Sequence, residues 1–206
     1  MHCSDQSSGS HHNLLSAVFA PNVGRKGPGV WYPAAYASRF TICPETRMSD
    51  PVDTKKVVGR RTLNFQSFDD VLADAEQLAS GEYRTVGNWS FGKILDHLAK
   101  SIHMMIDGAD FRAPLPVRWF VRLMKNKMLT KPLPSGFKIP SKAGQVMPDD
   151  ISTDEALQAF REAIQRAKSE STRAFHPFLG TLTQDEWDRF QLRHCEMHLS
   201  FVVPSG

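Results

Sequence analysis

Acidic residues are missing from one long stretch of this chain: between Phe111 and Pro148 there is no Asp or Glu. Over the same stretch Arg112, Arg118, Arg122, Lys125, Lys127, Lys131, Lys138 and Lys142 are all positive. The whole chain nevertheless carries a net charge of only +3 over 206 residues, which does not by itself imply nucleic acid, and no nucleic-acid recognition motif is present. Cysteine is scarce as well. Cys3, Cys43 and Cys195 are odd in number and widely spaced, which argues against a disulfide framework and fits a reducing cytoplasm. No apolar run reaches the ~18–20 residues that span a bilayer. Leu14 to Ala20 faintly resembles the apolar part of a signal peptide, but no Lys or Arg precedes it, so secretion is not expected. Convincing alternating strand patterns are absent too, which turns attention to helices.

Residues 1–47 differ from the rest, with Ser, His, Gly and Pro in clusters and no sustained period. They are expected to be a disordered leader or an upstream extension from a wrongly chosen start, because Met48-Ser49-Asp50-Pro51 reads as a sensible beginning. The pair His11-His12 lies in this tail, and adjacent residues on a helix would face ~100° apart. The folded domain is expected over 48–206.

Four amphipathic helices are expected there. The first runs from about Ser67 to Ser80, with Phe68, Val71, Leu72, Ala75 and Leu78 at core spacing and Gly81 at its end. The second starts at Ser90, a plausible N-cap, and reaches Asp107 before Gly108, with Phe91, Ile94, Leu95, Leu98, Ile102 and Met105 as its stripe. The third opens on Ser152 and Glu155 and buries Ala156, Leu157, Phe160, Ala163, Ile164 and Ala167, ending at His176-Pro177. The fourth opens on Thr183 and Glu186 and extends to about Val202. Four such stripes argue for an all-α four-helix bundle. The stretch from Gly108 to Ile151 is too long for a simple connection, and a short helix is expected inside it over Val117 to Thr130. A connection of that length lets helices two and three lie parallel.

The last helix carries the chemistry. With Trp187 at zero, Phe190, Gln191, His194, His198 and Phe201 all fall within about 60° of it, while Arg189, Arg193, Glu196 and Ser200 point the other way, as a solvated face does. His194 and His198 thus project inward together. Two neighbouring buried imidazoles compete for the same partners, and a shared metal ion resolves that competition. Two histidines make a weak site alone, since protein zinc sites need three or four ligands. Helix two offers His97 and His103, both about 120° from the centre of its stripe on opposite flanks, and geometry leaves both open.

Three separated segments carry a resemblance: GNWSFGKILDHLAKSI, PSGFKIPSKA and HPFLGTLTQDEWDRFQLRHCEMHLSF. In order and content they resemble the DUF1569 family, from about Arg60 to Val203, and more broadly the DinB/YfiT-like superfamily. That resemblance implies an up-down-down-up bundle with a long crossover between helices two and three. It implies a divalent metal, zinc or nickel, held by His97, His194 and His198 with open positions taken by water. It also implies a small-molecule substrate, a transferase reaction with a low-molecular-weight thiol such as bacillithiol, mycothiol or glutathione, and a homodimer. A metal-dependent hydrolase, a non-catalytic bundle with a structural ion, and a membrane- or partner-binding module working through the basic crossover are the alternative expectations.

Other residues read more plainly. HCEMH is not the HExxH of zinc proteases, because Glu196 lies about 160° from the imidazoles. Cys195 reads as a small buried side chain, His176 as a helix terminus favoured by the dipole, and Trp89 and Trp187 as packing anchors. The basic stretch near 117–131 reads first as a solvated face. Attraction of an anionic substrate and attachment to an anionic membrane surface are its lesser readings.

Overall fold

The structure, a computed structural model, describes residues 51–137 and 141–205; the expected leader lies outside the described residues. It is mostly helical. Helix α1 (Phe68–Ser80) begins where Ser67 and Asp70 cap each other: the Ser67 hydroxyl accepts the Asp70 N–H, and the Asp70 carboxylate accepts the Ser67 N–H. Helix α2 (Phe91–Asp107) is capped by Ser90 and stops at Gly108, whose φ of 100° suits glycine. The connection that follows holds α3 (Leu115–Leu123), α4 (Lys125–Thr130) and a 3-10 segment (Ser141–Val146). Helix α5 (Thr153–Ser169) is capped by Ser152, and α6 (Gln184–Leu199) by a reciprocal Thr183–Glu186 pair.

The stripes expected on α2 and α5 are buried residue for residue, from Phe91 to Met105 and from Ala156 to Ala167. On α1, Phe68, Val71, Ala75 and Leu78 are buried and Leu72 packs half-buried beside them. These faces form one core with Trp187, Leu192 and Leu199 of α6. Helices α2 and α5 share the most extensive contact. Their approach is close at one end, where a Cβ on Gly92 would run into the carbonyl of Ile151. At the other end Arg166 reaches the Asp107 carboxylate. Lys168 pairs with Asp69 at 2.6 Å and Arg161 with Glu76 at 2.7 Å, tying α5 to α1.

Several expectations are corrected. The last helix does not run to Val202: it ends at Leu199, and β2 (Val202–Pro204) pairs antiparallel with β1 (Tyr83–Thr85), Thr85 opposite Val202. A three-residue strand is too short for an alternation to be visible. The third helix ends at Ser169, well before His176. The helix expected over Val117 to Thr130 is two, meeting at Met124, and it starts earlier, at Leu115. Of the side of α6 expected to face solvent, Arg189 is exposed, but from Arg193 onward that side is covered. Residues 60–65 run across it: Arg61 N–H donates to the Ser200 carbonyl at 3.0 Å, Phe65 N–H to the Glu196 carboxylate at 2.6 Å, and Arg193 Nη2 to the Phe65 carbonyl at 2.6 Å. Glu196 and Ser200 are therefore buried. A helix covered on two sides has no stripe to read, so the period misled there.

No described helix is long and apolar enough to cross a membrane.

Candidate metal centre

His97 comes from the middle of α2, and His194 and His198 from consecutive turns of α6. Their ring centroids stand 5.2 Å (97 to 194), 4.6 Å (97 to 198) and 4.8 Å (194 to 198) apart. One nitrogen from each ring lies within 4.8 Å of the others, so the three could hold a metal ion. His103, the other candidate on α2, is not in this cluster; its Nδ1 instead faces Arg166 at 3.1 Å. His97 is buried, and His194 and His198 are half-buried.

A hydrogen bond fixes what the His97 ring can offer. His97 Nδ1 faces the Val146 carbonyl at 2.6 Å. A carbonyl only accepts, so Nδ1 carries the proton and Nε2 presents a lone pair. That Nε2 stands 3.3 Å from His194 Nε2. Two nitrogens each ~2.05 Å from one tetrahedral ion would stand ~3.3 Å apart, so the pair has the spacing a zinc-like ion requires. His194 Nδ1 faces the Ser101 hydroxyl at 3.1 Å, and that hydroxyl also accepts from Gln191 Nε2 at 3.1 Å. Both partners are buried, so the His194 ring is held by a polar pair sealed in the core. His198 is held differently, by the Trp89 indole stacked on it at 5.4 Å with the planes 3° apart.

Burial keeps all three imidazoles neutral. Desolvation is the largest cause in each, holding them below the ordinary histidine range. The neighbouring imidazoles add to it at His194 and His198, Arg60 adds at His198, and the Val146 carbonyl pulls His97 partly back. Neutral imidazole is the form that binds metal. The three neutral imidazoles could therefore hold a metal ion, with the His97–His194 pair already at metal-like spacing.

The residues from Val57 to Ser205 match the family described as "Protein of unknown function (DUF1569)". The chain belongs to the DUF1569 family. No curated protein and no solved structure matches it. Three features of this DUF1569 chain escaped the sequence reading. Trp89 does more than anchor packing, since it forms a wall against both His198 and His97, the latter at 5.1 Å. Phe190, one turn before His194, lies along that ring at 6.1 Å with planes 26° apart; its place on the histidine stripe was the available signal. Val146 acts through a backbone carbonyl, which no side-chain pattern reports.

Two residues stand apart from the cluster. Cys195 is fully buried and burial pushes its thiol up, so it stays protonated and is no thiolate ligand. His176 is not at a helix end but closes a tight turn. Its Nδ1 accepts the N–H groups of Phe178 at 3.1 Å and Leu179 at 3.0 Å, while its backbone pairs with Gly180. Burial among Trp187 and Phe190 pushes it down to about 3.

Proposed function

We propose that this protein binds one divalent metal ion through His97, His194 and His198 and uses it as a transferase acting with a low-molecular-weight thiol. The observation that carries the metal reading is the facing pair of Nε2 atoms at 3.3 Å, one of them stripped of its proton by the Val146 carbonyl. Two lone pairs aimed at each other repel unless a proton or a cation lies between them, and the third imidazole favours the cation. A bound ion with open positions lowers the pKa of a water or a thiol towards neutrality.

The residues around the cluster favour thiol transfer over hydrolysis. No Asp or Glu joins the cluster among the described residues. Glu196 is turned away to Phe65 and Arg193, and Asp96 accepts from the Asp149 N–H and from Lys100. Metal-assisted hydrolysis usually places a general base beside the water, and neither of these two carboxylates is free for that work. A thiol brings its own nucleophile and needs only to be held and deprotonated. Trp89 and Phe190 keep water from two sides of the rings.

The architecture we infer is the up-down-down-up bundle with a long crossover. Support comes from which ends meet. Gly92 and Ile151 place the N-termini of α2 and α5 together, and Asp107 and Arg166 their C-termini, so these two run parallel. Asp69 near the start of α1 meets Lys168 near the end of α5. His97 faces His194 while Ser101 faces Gln191, so α2 and α6 run opposite ways.

The test is elemental analysis of full-length untagged protein and of His97→Ala and His194→Ala. About one ion per chain is expected, with both substitutions abolishing stoichiometric content; undiminished metal in both would overturn the site. Thiol consumption by the metal-loaded protein, assayed with bacillithiol, mycothiol and glutathione against a reactive electrophile, tests the reaction. No consumption above the His97→Ala background with any of the three would overturn the transferase reading.

A further inference from the structure

Helix α3 buries none of its residues, although its sequence is apolar. Leu115, Trp119, Phe120 and Leu123 are 73%, 70%, 61% and 68% exposed. On a helical projection these four lie within an arc of about 140°, and Val121, which packs on the core, lies opposite the arc's centre. The helix thus turns its aromatic and aliphatic face outward. Single exposed apolar residues are ordinary, but a contiguous set containing Trp and Phe marks a contact surface.

What the face meets is decided by charge. Arg122 sits at the edge of the apolar arc, and Lys127 and Lys131 follow on and after α4; all three are exposed and form no ion pair among the described residues. No acidic residue interrupts the chain from Phe111 to Pro148. A second copy docking through the same face would set these cations against their own images. An apolar face of Trp, Phe and Leu, with Arg122 at its edge and exposed lysines following along the chain, none of them paired among the described residues, matches instead the interface of an anionic lipid bilayer. We propose that α3 and α4 dock the protein on an anionic membrane surface, with Trp119, Phe120 and Leu123 entering the headgroup boundary and Arg122, Lys127 and Lys131 meeting lipid phosphates. The aliphatic stems of those cations lie along the boundary while their heads stay in the charged layer.

The test is sedimentation of the full chain with vesicles of phosphatidylcholine alone and of phosphatidylcholine and phosphatidylglycerol in equal parts. Binding is expected to the anionic vesicles only, with a blue shift in tryptophan emission that a Trp119→Phe variant lacks. The triple variant Arg122→Gln, Lys127→Gln, Lys131→Gln should partition roughly a hundredfold less, since each cation near such a surface contributes about 1 kcal/mol. Trp119→Glu with Leu123→Glu should abolish binding. All these side chains are exposed, so thermal unfolding and metal content should match wild type, which separates this proposal from the reading of the histidine cluster. Failure of the wild type to bind anionic vesicles at low salt would overturn it. So would binding that survives Trp119→Glu with Leu123→Glu, because that is adsorption by charge alone. A dimer dispersed by that same double substitution, without vesicle binding, would assign the face to a second copy and overturn it too.

Discussion

The Glu196 carboxylate accepts the backbone N–H of Phe65 at 2.6 Å, across the side of α6 away from the histidines. The same oxygen takes Arg193 at 2.6 Å, and Arg193 in turn donates to the Phe65 carbonyl. One segment of chain is thus pinned to the helix that carries His194 and His198. Glu196→Ala leaves the buried Phe65 N–H without an acceptor and the part-buried Arg193 guanidinium with only the Phe65 carbonyl, at a cost of about 2–3 kcal/mol. Glu196→Gln keeps an acceptor for Phe65 and should cost less than half as much. Urea unfolding of the two variants checks the ranking, and equal losses would show that the charge, not the Phe65 bond, matters.

Asp96 ties the end of the crossover to α2, taking the Asp149 N–H at 2.7 Å and Lys100 Nζ at 2.7 Å. Three residues before Asp149 stands Val146, whose carbonyl orients His97. Asp96→Ala should free that segment, let the His97 ring turn, and weaken metal binding by roughly tenfold, the lower end of the usual effect of removing a supporting partner. Competition against a chromogenic chelator measures it. An affinity unchanged within twofold would mean that the ring is held by packing alone.

The helical part of this fold was legible because α2 and α5 bury one face against each other, so every stripe residue from Phe91 to Ala167 follows the 3.6 period. The pair on α6 was legible because His194 and His198, four residues apart, must share a face however many sides of the helix are covered. Its third partner was not: His97 and His103 sit symmetrically about the stripe, and what separates them is the 3-10 segment and α6 on one side and Arg166 on the other. Those are tertiary neighbours, invisible in a single helix. Glu196 failed for a related reason, since a strap of irregular backbone has no period that could announce it. The apolar face of α3 is the opposite case: a short helix was expected in that stretch, but nothing in its period announces that Leu115, Trp119, Phe120 and Leu123 turn away from the core.

Gly92 is where α2 and α5 touch backbone to side, and a methyl group there meets the Ile151 carbonyl, with Ser152 carbon at 3.2 Å. Backbone gives way less readily than a side chain. Gly92→Ala should therefore destabilise by about 1–3 kcal/mol despite the helix propensity that alanine adds. Because Ser152 caps α5, the displacement should also fray that helix. Thermal unfolding followed by circular dichroism reads the first effect, and amide exchange over residues 153–157 the second. A more stable variant would contradict the close approach.

His176 sets an acid limit on the fold. In the unfolded chain it takes a proton near pH 6.5, whereas burial pushes it down to about 3 in the folded protein. Between those values the unfolded state holds one proton more, so stability falls as pH drops through that window by about 1.4 kcal/mol per pH unit for this residue, and is fully restored above it. The three clustered imidazoles, also held low by desolvation, steepen the same slope in chelated protein. His176→Asn offers an acceptor to the Phe178 and Leu179 N–H groups but takes up no proton. Its packing against Trp187 is poorer, so it should start less stable at pH 7.5. Its slope between pH 6 and pH 4.5 should nevertheless be shallower by about 1.4 kcal/mol per pH unit. Denaturant midpoints at a series of pH values, with chelator present throughout, give both slopes; parallel curves would mean that His176 is already charged in the folded state.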